Sequence, residues 1–382
     1  MEDKNKYDKY YYKIMTYTML IILSLTVILN LTKEDILFSE LENRMLTQKP
    51  KFSVERLLEG RYTKKYEKYK VDQFINRDKF ISIKSTMDLA LGKNKSNGIY
   101  KCEEDYLIEE FSNVESKNVD LNLEAINDFY KSHKAINQYV LIAPNAVSIM
   151  NDKLPPYAPT LNQKEYLNDF RNKLNKNIKY IDTYDTLKNK NDEYIYYKTD
   201  HHWTTLGAYY AYTDLCKQMN IEKSSYEIQR VSNDFYGTLY SKSGYQTNSS
   251  DYIDIFIPKN QEDEYIVNYI EEQKKSASLY VSENLNIKDK YSVFLDGNHP
   301  IVKIKTTSNS DRKLLMFKDS YANSFTPFLT SNFSDITLVD PRYYYDDIDK
   351  LIKDENISDI LYLYNASTFF NDTSLNLVLN NN

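Results

Sequence analysis

The chain has only four histidines, His133, His201, His202 and His299, and two of them stand together in Lys198-Thr199-Asp200-His201-His202-Trp203. In extended backbone, residues two apart face the same side. Asp200 and His202 therefore face one way and His201 the other. A carboxylate beside an imidazole orients the ring and favours its protonated form, as a general base for acyl transfer requires. Ser320, in Lys318-Asp319-Ser320-Tyr321, offers a nucleophile just past an apolar strand and at the start of a helix. A side chain there stands at the carboxyl edge of the sheet, where open α/β sheets bind ligands. The N–H groups of the helix start can face an oxyanion. This is the logic of a nucleophile elbow without its flanking glycines. The residues by themselves leave two alternatives open. Ser320 also fits a plain helix N-cap. Asp200, His201 and His202 are metal-ligand types, with His299 the one further donor, although no HxxxH or HxH spacing completes a site. The reading adopted is a serine-dependent site with no metal and no cofactor.

The elements that must position these residues are clearest at the C-terminal end. Lys313–Phe317, Asp335–Val339 and Asp359–Tyr364 read as apolar strands, alternating with helices over Ser320–Leu329 and Tyr345–Asp354. That alternation means parallel βαβ units in a covered sheet. Upstream, helices over Asp120–His133 and Lys164–Leu174 precede strands Gln138–Ala143 and Ile178–Ile181, and a helix over Thr204–Met219 follows the histidine pair. Residues 225 to 310 read as a β-rich insertion. In this sheet several polar residues fall at strand carboxyl ends beside Ser320: Asn145, Arg342 and Asn365. Arg342 follows the strand expected next to that of the nucleophile, a position from which it would hold an acyl group or an anionic sugar. The competing reading pairs it with Asp346 or Asp347 at the surface. Asn298 follows Gly297 in a pair of the oxyanion-hole type. Tyr321 and Trp203, next to the nucleophile and the base, complete the candidate oxyanion or substrate-contacting residues.

Residues 14 to 31 carry no charge. A helix crosses a bilayer with ~20 residues, so this segment is close to the length required. Lys4, Lys6, Lys9 and Lys13 precede it, which orients the N-terminus to the cytoplasm. Nothing resembling a signal-peptidase site follows Leu31, so an uncleaved anchor is expected, with the remainder outside the cytoplasm. The expected organisation is a cytoplasmic tail (1–13), a transmembrane anchor (14–31), a helical stalk or cap (32–110) and a catalytic domain (111–382). The 382 residues carry 49 basic and 55 acidic side chains, well mixed, so nucleic-acid binding is not expected. Cys102 and Cys216 are compatible with one disulfide or with two packed thiols.

The block Tyr197-Lys198-Thr199-Asp200-His201-His202-Trp203 resembles the signature of the DHHW family, which is similar to alginate O-acetyltransferase proteins with an SGNH-hydrolase-like domain. The resemblance extends over Glu42–Leu46, Asp72–Arg77, Phe235–Leu239, Phe294–Pro300 and Lys318–Tyr321, in the expected order. It implies a three-layer α/β fold and a triad of Asp200, His202 and Ser320 as orienter, base and nucleophile. It implies an O-acetyltransferase of an envelope or exported polysaccharide, acting through an acyl-serine. A polytopic membrane-bound O-acyltransferase would supply the acetyl group. A polysaccharide acetyl esterase with the same triad, or a non-catalytic glycan-binding scaffold, are the rivals. Lys318 departs from the family pattern, in which a glycine often precedes the Asp-Ser pair.

Overall fold

Five strands run parallel through the centre of the structure: β1 (Asn137–Ala143), β2 (Lys179–Tyr180), β6 (Lys313–Lys318), β7 (Asp335–Val339) and β8 (Asp359–Asn365). Three more, β3 (Tyr265–Tyr269), β4 (Lys274–Ser276) and β5 (Ile301–Thr306), continue the sheet antiparallel beyond β7, in the order β4-β3-β5-β7-β6-β8-β1-β2. Every residue of β8 is buried, so both faces of the sheet are covered. The architecture is the SGNH-hydrolase-like three-layer α/β fold, with a mainly parallel sheet.

This is a computed structural model, and it describes residues 2–39, 44–112, 114–247, 249–259 and 264–380. Glu42 and Asn43 of the Glu42–Leu46 segment lie outside them. The chain divides into two compact units, Met1–Leu91 and Gly92–Asn382. In the first, the helix Glu2–Thr32 contains a 25-residue segment, Asp8–Thr32, long and apolar enough to cross a membrane. Short helices follow at Val54–Leu58, Arg61–Asp72 and Arg77–Ala90. Asp72 accepts from the Thr47 N–H at 2.8 Å, and the Gln73 amide bonds both backbone groups of Ile36, at 2.9 and 2.8 Å. Those contacts give the Asp72–Arg77 segment a structural task.

The helical segment expected to reach residue 110 ends at Ala90. Lys95–Ser96, Ile99–Lys101 and Leu107–Glu109 form a three-stranded antiparallel sheet inside the second unit instead. The cause is the Asn97-Gly98 pair, with φ of 50° and 77°. Both residues are left-handed, as the tight hairpin turn favoured by such a dipeptide requires. The β-rich stretch from about 225 to 310 has two fates. Tyr226–Phe235 and Asp251–Pro258 form a separate two-stranded ribbon, while β3, β4 and β5 cover the edge that β7 would otherwise expose. The segment after Ser320 is an α-turn over Tyr321–Phe325 that becomes a 3-10 helix at Thr326–Leu329, because Pro327 has no N–H to donate. Cys102 and Cys216 are both free thiols, and burial pushes their pKa up to about 12 and about 11.

Candidate active site

Three elements meet at the carboxyl end of β6. Lys198–Thr199 is clamped to Asp251, whose carboxylate accepts from the Lys198 N–H (2.7 Å), the Thr199 N–H (2.7 Å), the Thr199 hydroxyl (2.5 Å) and the Tyr194 hydroxyl. Burial pushes the Asp251 carboxyl up, against those donors. This clamp fixes the start of the Asp200–Trp203 segment. Its far end is fixed by Thr204, whose hydroxyl accepts from the Gly207 N–H at 3.3 Å and so caps the helix Thr205–Met219. Such a cap satisfies a backbone donor that the first turn leaves unpaired.

Between these two anchors the side chains converge. Asp200 Oδ1 accepts from the His202 backbone N–H at 3.0 Å and lies 2.5 Å from His202 Nδ1. His202 Nε2 stands 2.7 Å from Ser320 Oγ. Asp200 is 4 % and His202 5 % exposed, so both act in a desolvated setting. An ionised Asp200 accepts only, so the ring proton of a neutral His202 sits on Nδ1 and the Nε2 lone pair faces the serine hydroxyl. Burial alone would raise the Asp200 pKa. The charges of His201 and His202 and the bonds from His202 and Thr238 outweigh it and hold the carboxyl far below the usual range. Burial, then the neighbouring His201, lowers the His202 pKa to about 4 against the pull of Asp200. Ser320 does not cap its helix: its hydroxyl makes no cap hydrogen bond and points to His202.

Four further residues hold this line in place: Tyr291, Thr238, Gly237 and Asp319. Tyr291 stacks flat on His202, with ring centroids 3.7 Å apart and an angle of 12°. Its hydroxyl reaches the Ser320 carbonyl and Ser324 Oγ, both at 3.0 Å. Thr238 bonds Asp200 Oδ2 with its N–H (2.8 Å) and its hydroxyl (3.0 Å). Gly237 lies so close that a Cβ there would fall 2.3 Å from Asp200 Cβ. Asp319 ties the nucleophile's turn to β8: it accepts from the Tyr321 N–H (2.9 Å), the Asn365 N–H (2.9 Å) and the Asn365 amide (2.7 Å).

Several expected contact residues take other places. Tyr321 is fully buried, and its hydroxyl donates to the His201 carbonyl at 2.5 Å, so it holds the histidine segment and presents nothing to a substrate. Trp203 is equally buried and donates from Nε1 to the Tyr321 carbonyl (3.0 Å) and Ser324 (3.1 Å). Asn145 directs its amide protons to the Tyr321 hydroxyl (3.2 Å) and Asn365 Oδ1 (3.0 Å). A side-chain amide has two such protons, so none is left for an oxyanion. Arg342 is clasped by the fully buried Asp340, Nε to Oδ1 at 2.8 Å and Nη2 to Oδ2 at 2.5 Å, and pairs with neither Asp346 nor Asp347. The helix start is also less open than expected, since the Tyr321 N–H goes to Asp319 Oδ1 and the Ala322 N–H to the Asp319 carbonyl.

Lys318 is buried beneath this turn, 2.6 Å from Asn323 Oδ1 and 3.3 Å from Asn298 Oδ1, and burial lowers its pKa to about 8. Asn298 is exposed, on a loop where Leu295, Asp296 and Gly297 have φ of 59°, 58° and 91°. Three successive left-handed residues store strain of the kind found at functional loops. His299 is engaged elsewhere, by Glu272 at 2.6 Å and the Leu295 carbonyl at 3.1 Å. Asp200, His201 and His202 each carry a ligand-type atom within 4.8 Å of the others. Asp200 Oδ1 and both His202 nitrogens are already paired along the line to Ser320, so an ion would have to break it.

The fold is SGNH-hydrolase-like, and Asp200, His202 and Ser320 stand in one hydrogen-bonding line at the carboxyl end of β6. The family model of the DHHW protein matches residues 99–339, and the chain belongs to that family. It is similar to the crystal structure of a DHHW family protein from Eubacterium siraeum, at 26% identity and a TM-score of 0.65, covering 75% of this chain and 96% of that one. It is also similar to PatB1 of Bacillus cereus, at 22% identity and a TM-score of 0.61, covering 73% of this chain and 98% of that one. A second structure of PatB1 carries a sulfonyl adduct, at 21% identity and a TM-score of 0.61, with 73% and 97% coverage. No curated protein matches significantly.

Proposed function

We propose that this protein is a membrane-anchored, extracytoplasmic O-acetyltransferase that modifies an envelope or exported polysaccharide through an acetyl-serine. The observation that carries the reading is the continuous line from Asp200 through His202 to Ser320, with contacts of 2.5 and 2.7 Å. His202 Nε2 takes the Ser320 proton as Oγ bonds to the acetyl carbonyl carbon. The imidazolium then returns that proton to the leaving group, and acetyl-Ser320 remains. In the second half His202 takes the proton of a glycan hydroxyl, whose oxygen bonds to the acetyl carbon as the bond to Ser320 Oγ breaks, and the imidazolium returns the proton to Oγ. Asp200 stays ionised and stabilises the imidazolium. Tyr291, flat against the ring, keeps the imidazole from turning out of line.

The helix within Asp8–Thr32 would hold the domain at the outer face of the membrane, with the lysine-rich N-terminus inside. No acyl-CoA is available there, so the acetyl group would come from a polytopic membrane-bound O-acyltransferase. The test uses the full chain in detergent with a small acetyl ester and a glycan acceptor. Wild type is expected to release the alcohol and acetylate the glycan, and Ser320→Ala to lose on the order of 10³-fold or more in both. Equal ester cleavage by Ser320→Ala would sink the reading, and alcohol release with water as the sole acceptor would turn it into an acetyl esterase.

A further inference from the structure

Asp200 uses its two oxygens on two different partners. Oδ1 serves His202 directly, while Oδ2 accepts from the Thr238 N–H and the Thr238 hydroxyl. Thr238 Oγ1 also lies 2.7 Å from His201 Nδ1. The threonine has one hydroxyl proton, and the carboxylate can only accept, so that proton belongs to Asp200. The contact with the ring is then a donation from His201 Nδ1–H to Thr238 Oγ1. Neutral His201 therefore keeps a bare Nε2, which has no hydrogen-bond partner among the described residues. The His201 side chain is 31% exposed, and it lines a cavity of about 680 Å³.

The chemistry of that cavity is one-sided. Asn97, Asn371, Ser367 and Thr368 give it amides and hydroxyls. Its charged walls are internally matched: Glu109 pairs with Lys242, and Glu110 with Lys95 at 2.9 Å. Of the cations near the nucleophile, Arg342 does not line the cavity and is clasped by Asp340, and Lys318 is buried beneath the turn and also does not line it. We propose that this cavity is the acceptor site, that its ligand is an uncharged sugar chain rich in hydroxyl and amide groups, and that His201 Nε2 accepts a hydrogen bond from a hydroxyl or amide N–H of the sugar being acetylated. The group that bonds His201 is a neighbour of the attacking hydroxyl, whose own proton goes to His202. This inference rests on the transferase reading for its purpose.

Binding tests it apart from the chemistry. The full chain carrying Ser320→Ala is titrated in detergent with a tetramer of N-acetylglucosamine and with a tetramer of uronic acid. The neutral tetramer is expected to bind at least about tenfold more tightly, since a carboxylate would enter without a free cation. Adding His201→Ala is expected to weaken the neutral tetramer about fivefold, the worth of one neutral hydrogen bond. Adding His201→Gln instead, which keeps an acceptor near the Nε2 position, recovers most of that loss. No binding, equal binding of the uronate, or indifference to His201→Ala overturns the proposal. An acetyl-Ser320 that fails to form in wild type sinks the transferase reading by itself and leaves the binding result standing as a glycan site.

Discussion

Alanine at position 237 is the smallest change that should disable the site without touching a reacting atom. Its Cβ would lie 2.3 Å from Asp200 Cβ and 2.4 Å from Asp200 Oδ2, whereas ordinary contacts begin at 3.4 Å. The backbone there has φ −84° and ψ −166°. That conformation suits alanine, so the penalty comes from the clash and not from torsion. Neither side yields freely. The Gly237 N–H is bonded to Thr199 Oγ1 at 2.9 Å, and Asp200 receives bonds from His202 and Thr238 on both oxygens. Relief requires one of them to move by roughly 1 Å, and a misplacement of that size in a catalytic constellation costs on the order of 10²-fold. Loss of the carboxylate's hold on the imidazole takes the figure towards about 10⁴. Overpacking should lower stability by about 1–3 kcal/mol. Turnover of a small acetyl ester is measured beside a thermal melt and a near-ultraviolet circular dichroism spectrum. A folded Gly237→Ala protein with turnover within about threefold of wild type would refute the reasoning.

The pH profile should follow His202. With its pKa lowered to about 4, the ring is a free base throughout the neutral range. Ester turnover should therefore rise about tenfold per unit below about pH 4 and level off by about pH 6; a rise centred near the ordinary histidine value of 6.5 would contradict this environment. The same depressed value means the unfolded chain binds the proton more readily. This ring's contribution to stability is thus present above about pH 6.5 and is lost as the pH falls towards about 4, which melts at stepped pH would register. Arg342→Ala should act through the fold, because it leaves the fully buried Asp340 carboxylate unpaired. The expected cost is about 2–4 kcal/mol by denaturant titration, and equal stability would restore a substrate role for the guanidinium. Asp251→Asn places an NH₂ against either the Lys198 and Tyr194 donors on Oδ1 or the two Thr199 donors on Oδ2, so the Asp200 segment loses half of its anchor. It should destabilise by about 2–3 kcal/mol while lowering turnover, and a variant as stable and active as wild type would show the clamp to be idle.

The parts of this arrangement that the sequence displays are those governed by short periods. Strand–helix alternation puts Ser320 at the carboxyl end of β6 beside β7 and β8. Asp200 and His202 do meet, but through a bend in which Asp200 Oδ1 accepts from the His202 N–H, and the His201 ring lies 3.9 Å from that of His202 instead of facing away as extended backbone would have it. What escapes is set by packing between distant segments. Tyr291 is one of 37 tyrosines, and nothing local marks it as the ring that covers His202. Asp251 is an ordinary acidic residue until the ribbon Tyr226–Phe235 and Asp251–Pro258 brings it under Lys198 and Thr199. Arg342 illustrates the reverse error: its strand was legible, but the side chain turned to the carboxylate two residues earlier, which a count of strand ends does not reveal. Two signals were available. Asn97-Gly98 is a hairpin dipeptide that argues against a helix reaching residue 110. In a chain with 7 glycines, Gly237 in Phe235–Leu239 marks a close backbone approach, which proves to be to Asp200.

The central claim is that Ser320 carries the acetyl group and that His202 activates it. Peptide mass spectrometry on the full chain, quenched in acid within the first turnover with an acetyl ester, measures this directly. The account predicts an acetyl group on the peptide containing Ser320, present in wild type and reduced by on the order of 10³-fold or more in rate with His202→Ala. An unmodified Ser320 during turnover, or an adduct that forms as fast without His202, would contradict it.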